Sequence, residues 1–167
     1  HSDKYVQCAK LLSYPKKAEQ ICTSLCEQIK KEFNNIDIIL SPAIGGIVIG
    51  YEVGRQLNIE TIFAERQEGK LVLRRGFDIP KNSNVLVVED VITTGKSALE
   101  CLNLIKKYQS KFIGYSCIID RTNEKSLIKE KIISQVKLKI DTFKNTQIPE
   151  KLKNIKPVKP GSRNLSK

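Results

Sequence analysis

Val85-Leu86-Val87-Val88-Glu89-Asp90-Val91-Ile92-Thr93-Thr94-Gly95-Lys96-Ser97 joins an apolar, β-branched run to two acids and then to a turn rich in hydroxyls and glycine. A short continuous run of this kind reads as a strand buried on both faces. The residues directly after it then lie at the carboxyl edge of a parallel sheet, where α/β proteins place their ligands. There Glu89 and Asp90 can accept hydrogen bonds from sugar hydroxyls. Thr93 to Ser97 offer backbone N–H groups and hydroxyls, and the helical pattern from Ala98 to Tyr108 sets a helix N-terminus behind them, a nest that suits a phosphate. Acids, turn and helix start together match the parts of a ribose phosphate.

Two other readings of this stretch are weaker. An ordinary buried strand with a solvated turn would leave adjacent acids at a strand end without a partner, which is costly. A Walker phosphate loop requires Gly, four residues, then Gly-Lys-Ser. Gly95-Lys96-Ser97 supplies the tail, but Glu89 to Thr94 holds no first glycine and sets two carboxylates where phosphates would sit.

The flanking chain alternates in the same way. Asp37 to Leu40, Glu60 to Ala64, Asn84 to Val88 and Phe112 to Ile119 read as strands, and Lys16 to Glu32 and Gly46 to Leu57 as helices. Such alternation predicts an α/β fold, a mostly parallel sheet with helices on both faces. Between Glu65 and Asn82 lies a polar, glycine-containing stretch with β-like pieces Leu71-Val72-Leu73 and Phe77-Asp78-Ile79, of a length common in lids and binding loops. After Pro149 the pattern thins to Lys, Pro and Asn and is expected to run extended over the surface.

With 167 residues, 18.9 kDa and 40% hydrophobic content, the chain can bury one core and is expected to be a single domain over 1–167. It begins His1-Ser2-Asp3-Lys4-Tyr5 without Met, so an N-terminal piece is expected to be missing. No apolar run approaches 18 residues and the start resembles no signal peptide, the pattern of a soluble cytoplasmic protein. The five cysteines form no CxxC pair and read as reduced, partly buried thiols. Cys22 and Cys26 lie one helical turn apart, yet no further Cys or His has a spacing that would complete a zinc site. Twelve Lys and Arg against three acids from Lys125 onward account for +9 of the net +11. Few aromatics accompany them and apolar residues separate them, so the tail reads as a solvated face rather than a nucleic-acid site. The single histidine, His1, leaves Ser-His-Asp and Cys-His catalysis almost without candidates.

The strand, acid pair and Thr-Thr-Gly turn resemble the phosphoribosyl pyrophosphate (PRPP) motif of type I phosphoribosyltransferases, and Val88-Glu89-Asp90-Val91-Ile92-Thr93-Thr94-Gly95 is similar to the version in the orotate phosphoribosyltransferases. The resemblance spans His1 to about Arg121, with an echo at Pro160-Gly161-Ser162-Arg163. It implies the type I fold with a flexible catalytic loop, a homodimer sharing that loop, and transfer of the phosphoribosyl group from PRPP to orotate with Mg²⁺ brought in by PRPP. PRPP contacts are implied for Glu89, Asp90, Val91, Ile92, Thr93, Thr94, Gly95, Lys96 and Ser97, and for the pyrophosphate loop Ala43, Ile44, Gly45 and Gly46, where Gly45 replaces a lysine of relatives. The segment Glu65 to Gly76 resembles the catalytic loop, in which Arg66 and Lys70 take the roles of cations on the leaving group beside the catalytic Asp90. The loop lacks a histidine that many relatives carry, and Arg74 or Arg75 can replace it. Tyr5, Thr93 and Arg121 correspond to the orotate contacts. An Arg at 121 can read a carboxylate or carbonyl with a fork that Lys cannot copy. A purine-type phosphoribosyltransferase and a non-catalytic PRPP-sensing regulator are the alternatives.

Overall fold

The computed structural model describes residues 2, 4–123, 126–141, 143, 145–156 and 158. The echo at Pro160 to Arg163, together with His1, lies outside them. By contact density the chain divides into a large unit, Cys8–Leu138, and a small one made of residues 1–7 and 139–167. In the small unit, Ser2 donates to the carbonyl of Asp141 at 2.8 Å and Glu150–Lys153 forms a single helical turn.

The large unit is built from α1 (Cys8–Leu12), α2 (Pro15–Glu32), β1 (Ile38–Pro42), α3 (Gly45–Leu57), β2 (Glu60–Gln67), β3 (Lys70–Leu73), β4 (Asn84–Ile92), α4 (Lys96–Lys107), β5 (Lys111–Asp120) and β6 (Ile132–Lys137). The strands form one sheet in the order β3-β2-β1-β4-β5-β6, parallel except for β3. Its central strands are apolar because helices cover both sides. On one side Ala98, Cys101, Leu104 and Ile105 of α4 pack with Ile38, Leu40, Ile62, Val85, Val87, Tyr115 and Cys117. α3 lies on the other side, with α2 against it and against β5 and β6. The closeness of α3 to the sheet depends on Gly46, Gly50 and Gly54, one turn apart. A Cβ at Gly50 would stand 2.1 Å from Ser41 Oγ, and one at Gly54 would stand 1.9 Å from Thr61 Oγ1.

Three expectations differ from the structure. The stretch after Glu65 is largely ordered as a β-hairpin: Glu65, Arg66 and Gln67 extend β2 and pair with Val72, Leu71 and Lys70 through a tight turn at Glu68 and Gly69, both with positive φ. Leu71 is drawn into the core, which supplies the anchoring that a polar reading of the segment overlooks. Phe77-Asp78-Ile79 is not a strand; Phe77 packs edge-on against Phe63 at 5.1 Å, and Ile79 is buried. β6 went unrecognised because Ile132-Ile133-Ser134-Gln135-Val136-Lys137 alternates poorly; its place is set by pairing with β5.

Candidate active site

The chain runs outward from β1 to β2, then returns to lay β4 on the other side of β1, so the order of strands reverses between β1 and β4. A crevice opens at such a reversal beyond the carboxyl ends of the strands. Here it is visible in the register: β4 pairs with β1 only up to Leu40–Val87, but stays paired with β5 as far as Ile92–Asp120. Beyond Val87 the ladder to β1 ends, and β5 alone carries β4 on to Ile92. The acids lie within the strand, which runs four residues further than the Asn84 to Val88 reading, because β5 continues to support it.

Since neighbours in a strand face opposite ways, Glu89 and Asp90 serve opposite sides of the sheet. Glu89 lies on the α4 side, near enough to Cys101 and Cys117 to help burial raise both thiol pKa values. Asp90 lies on the α3 side, where its carboxyl oxygen is 2.8 Å from the point a Cβ on Gly45 would occupy. A side chain at residue 45 would collide with it, so glycine there lets the loop after β1 close onto Asp90. Burial pushes the Asp90 carboxyl above the usual carboxylate range, opposed by the backbone N–H groups of Val91 and Asp90 itself. The Cys8 thiol approaches the Asp90 carbonyl at 3.9 Å, and burial together with the Asp90 charge pushes it up to about 12.

Two helix N-termini converge on the crevice. α3 starts at Gly45 after Ala43 and Ile44, which are joined by a cis peptide; Ala43 N–H donates to Ala64 at 2.8 Å. α4 starts after Thr93-Thr94-Gly95, with Gly95 at φ +80° as its N-cap. Neither N-cap residue, Ile44 or Gly95, makes a side-chain cap bond and neither first turn holds an acid, although the Thr94 hydroxyl accepts the Lys96 N–H at 3.4 Å. The first N–H groups of a helix lack intrahelical partners and its dipole attracts anions, so each terminus can take a phosphate. Lys96 at the first position of α4 is unfavourable against the dipole alone and suits an anion lodged there. Thr93, Thr94 and Lys96 are exposed to that space, Ser97 is partly so, and Val91 and Ile92 are held in the sheet.

Arg121 follows β5, and its N–H donates to the Ile92 carbonyl at 2.8 Å, which brings it beside Thr93. Its Nε is enclosed and has no hydrogen-bond partner among the described residues. Arg66 and Lys70 lie on the hairpin. The Arg66 guanidinium pairs with Glu100 of α4 at 2.8 Å and donates to the Gly69 carbonyl, and Lys70 is exposed beside the turn. Arg75 pairs with Glu65 at 2.5 Å and lies over the Phe63 ring. Tyr5 belongs to the small unit, where its hydroxyl accepts from Gln7 at 3.3 Å. Sequence reasoning missed Ser126, Leu127 and Ile128, which run back against the Thr94-Gly95 turn; an apolar pair amid polar residues was their only signal.

Among the described residues, no group of three or more His, Cys, Asp or Glu side chains gathers as a metal cage, and no helix is long and apolar enough to cross a membrane. The phosphoribosyl transferase domain model matches residues 12–153. Similar curated proteins include the orotate phosphoribosyltransferases of Caldicellulosiruptor bescii and of Thermoanaerobacter sp. strain X514. Each is 44% identical over 163 residues, which are 98% of this chain and 85% of the relative. Among solved structures the fold is shared with orotate phosphoribosyltransferase from Aeropyrum pernix (TM-score 0.67, 18% identity, 80% of this chain and 78% of that one) and with adenine phosphoribosyltransferase from Saccharomyces cerevisiae (TM-score 0.68, 15% identity, 79% and 86%). With this degree of likeness along nearly its whole length, the chain belongs to the phosphoribosyl transferase family and, within it, to the orotate phosphoribosyltransferases.

Proposed function

We propose that this chain transfers the 5-phosphoribosyl group of PRPP to orotate, giving orotidine 5′-monophosphate and pyrophosphate. The observation that carries the reading is the pair of helix N-termini at the β1/β4 crevice, neither with a side-chain bond from its N-cap residue, with Asp90 between them. Two separate anion sites flanking a carboxylate fit a sugar bearing a phosphate at one end and a pyrophosphate at the other. The ribose 5-phosphate is assigned to Thr93–Ser97 and the pyrophosphate to Ala43–Gly46. As the anomeric carbon loses pyrophosphate, positive charge grows on the ribose and negative charge on the leaving group. Asp90 and Glu89 hold the ribose hydroxyls and offset the former; backbone N–H groups and the hairpin cations Arg66 and Lys70 offset the latter. A ring nitrogen of orotate then attacks in line, with Arg121 and Thr93 orienting the base. Arg121 suits that task because its enclosed Nε lacks a protein partner.

Mg²⁺ is assigned to the ligand rather than to a protein cage. Asp90 beside the pyrophosphate loop is chemically suited to a cation held mainly by pyrophosphate and ribose oxygens. When bound, the ion supplies neutralisation of the leaving group. A homodimer is supported by Ile44, Val48 and Tyr51, an apolar stripe 50 to 81% exposed on α3 directly beside the crevice. We further infer a reducing, cytoplasmic setting from five free and buried cysteines.

Pyrophosphate release, measured with PRPP, Mg²⁺ and a panel of orotate, uracil, adenine and hypoxanthine, tests the proposal. Release with orotate alone is expected. Release with a purine instead would reassign the substrate, and PRPP binding without release to any base would make the chain a sensor.

A further inference from the structure

Two described residues that follow β5 are fastened to the end of β4 and the turn after it. Arg121 N–H donates to the Ile92 carbonyl at 2.8 Å, and Leu127 N–H donates to the Thr94 carbonyl at 3.3 Å. Those acceptors bracket the turn that leads into α4. Ile128, next along, is 8% exposed, and its side chain occupies the space beside Gly95: a Cβ at residue 95 would come within 2.5 Å of Ile128 Cγ1 and 2.8 Å of Cδ1. Ile128 is itself oriented by a local turn, its N–H donating to Ser126 Oγ at 3.2 Å and Ser126 N–H to the Asn123 carbonyl at 2.8 Å.

The consequence falls on Gly95, which caps α4 in the left-handed region at φ +80°. Glycine reaches that conformation without steric cost but also leaves it without cost, so something outside the turn must fix its direction. Gly95 has no side chain to cap α4, and the Thr94 hydroxyl accepts the Lys96 N–H only at 3.4 Å. Ile128, packed from the side, limits the turn's freedom at Gly95 itself, beside the Leu127 N–H that holds the Thr94 carbonyl. We propose that Ile128 is a positioning residue for the ribose 5-phosphate, holding the Thr93–Ser97 amides in the geometry that binds it. Arg121, assigned to the base, is fastened to the same strand end through the Ile92 carbonyl. This inference rests on the assignment of the ribose 5-phosphate to that turn.

Because the proposed pyrophosphate loop, Ala43–Gly46, lies on a different element, the two halves of PRPP report separately. Calorimetric titration of wild type and Ile128→Ala with ribose 5-phosphate and, separately, with inorganic pyrophosphate and Mg²⁺ is the test. In the variant, ribose 5-phosphate should bind about tenfold more weakly and pyrophosphate within about twofold of wild type. Ile128→Val, which keeps most of the packing, should recover most of the loss, and it carries the same comparison if the alanine variant does not fold. Equal binding of ribose 5-phosphate by wild type and variants, or equal loss of both ligands, overturns the inference while leaving the crevice assignment intact. Failure of wild type to bind ribose 5-phosphate overturns the crevice assignment, and the inference with it.

Discussion

At the scale of single residues, Asp90 is where stability and the proposed function oppose each other. Its carboxyl is held above the ordinary range chiefly by burial. At low pH it is protonated whether the chain is folded or not. As pH rises the unfolded chain ionises first, so folding stability falls through the raised folded-state pKa and levels off above it. Asp90→Asn should abolish that fall and leave the unliganded protein more stable at neutral pH, which urea unfolding at pH 4 and pH 7 will show. The same substitution should cost about 2 kcal/mol or more in transition-state stabilisation, read as kcat/KM for PRPP. Arg121 supplies a second test. If its enclosed Nε awaits the base, Arg121→Ala should weaken orotate by roughly 1.5 to 3 kcal/mol while PRPP affinity changes little. Equal weakening of both ligands would assign Arg121 to the strand end instead.

At the scale of elements, the site depends on how near α3 comes to the sheet, and the glycines at 46, 50 and 54 set that distance. A methyl at residue 50 has no room beside Ser41 Oγ. Gly50→Ala should therefore destabilise the fold by about 1 to 3 kcal/mol, and Ser41→Ala in the same chain should restore part of the loss. Chemical denaturation of the two single variants and the double variant measures the coupling. The β2–β3 hairpin behaves differently. It is a tight two-residue turn pinned by Leu71 in the core and by the ion pair Arg66–Glu100. That pair is partly exposed and contributes no more than about 1 kcal/mol, so the hairpin cation is held near α4 without being trapped there.

At the scale of the whole molecule, the proposed homodimer can be tested through the charged hairpin. If the hairpin serves the partner's crevice, mixing inactive Asp90→Asn and Lys70→Ala chains should restore part of the activity, because one of the two composite sites in each heterodimer is then intact. No recovery after verified subunit exchange would count against a shared site. The cysteines offer a separate check. Burial pushes Cys8 and Cys22 up to about 12 and raises the rest as well, so the native protein should react slowly with a thiol reagent at pH 8 and expose five thiols once unfolded.

The sequence by itself determined the fold class and the motif. Apolar runs of strand length alternating with helical patterns admit few arrangements other than a covered parallel sheet, and acids followed by Thr-Thr-Gly before a helix have a local chemical logic that needs no neighbours. Tertiary structure alone decided the rest. Whether Glu89 and Asp90 act from one side or from two depends on how far β5 keeps β4 extended, a matter of register between segments about thirty residues apart. Gly45, set down in the sequence as a lost lysine, proved to be the place where a loop and Asp90 nearly touch. Ile128 carried no signal beyond an apolar pair amid polar residues, because its place is defined by what lies across from it. Local sequence encodes local conformation and which faces are apolar. Close approach between distant segments is fixed only when the whole core packs, and the geometry of this crevice is made of such approaches.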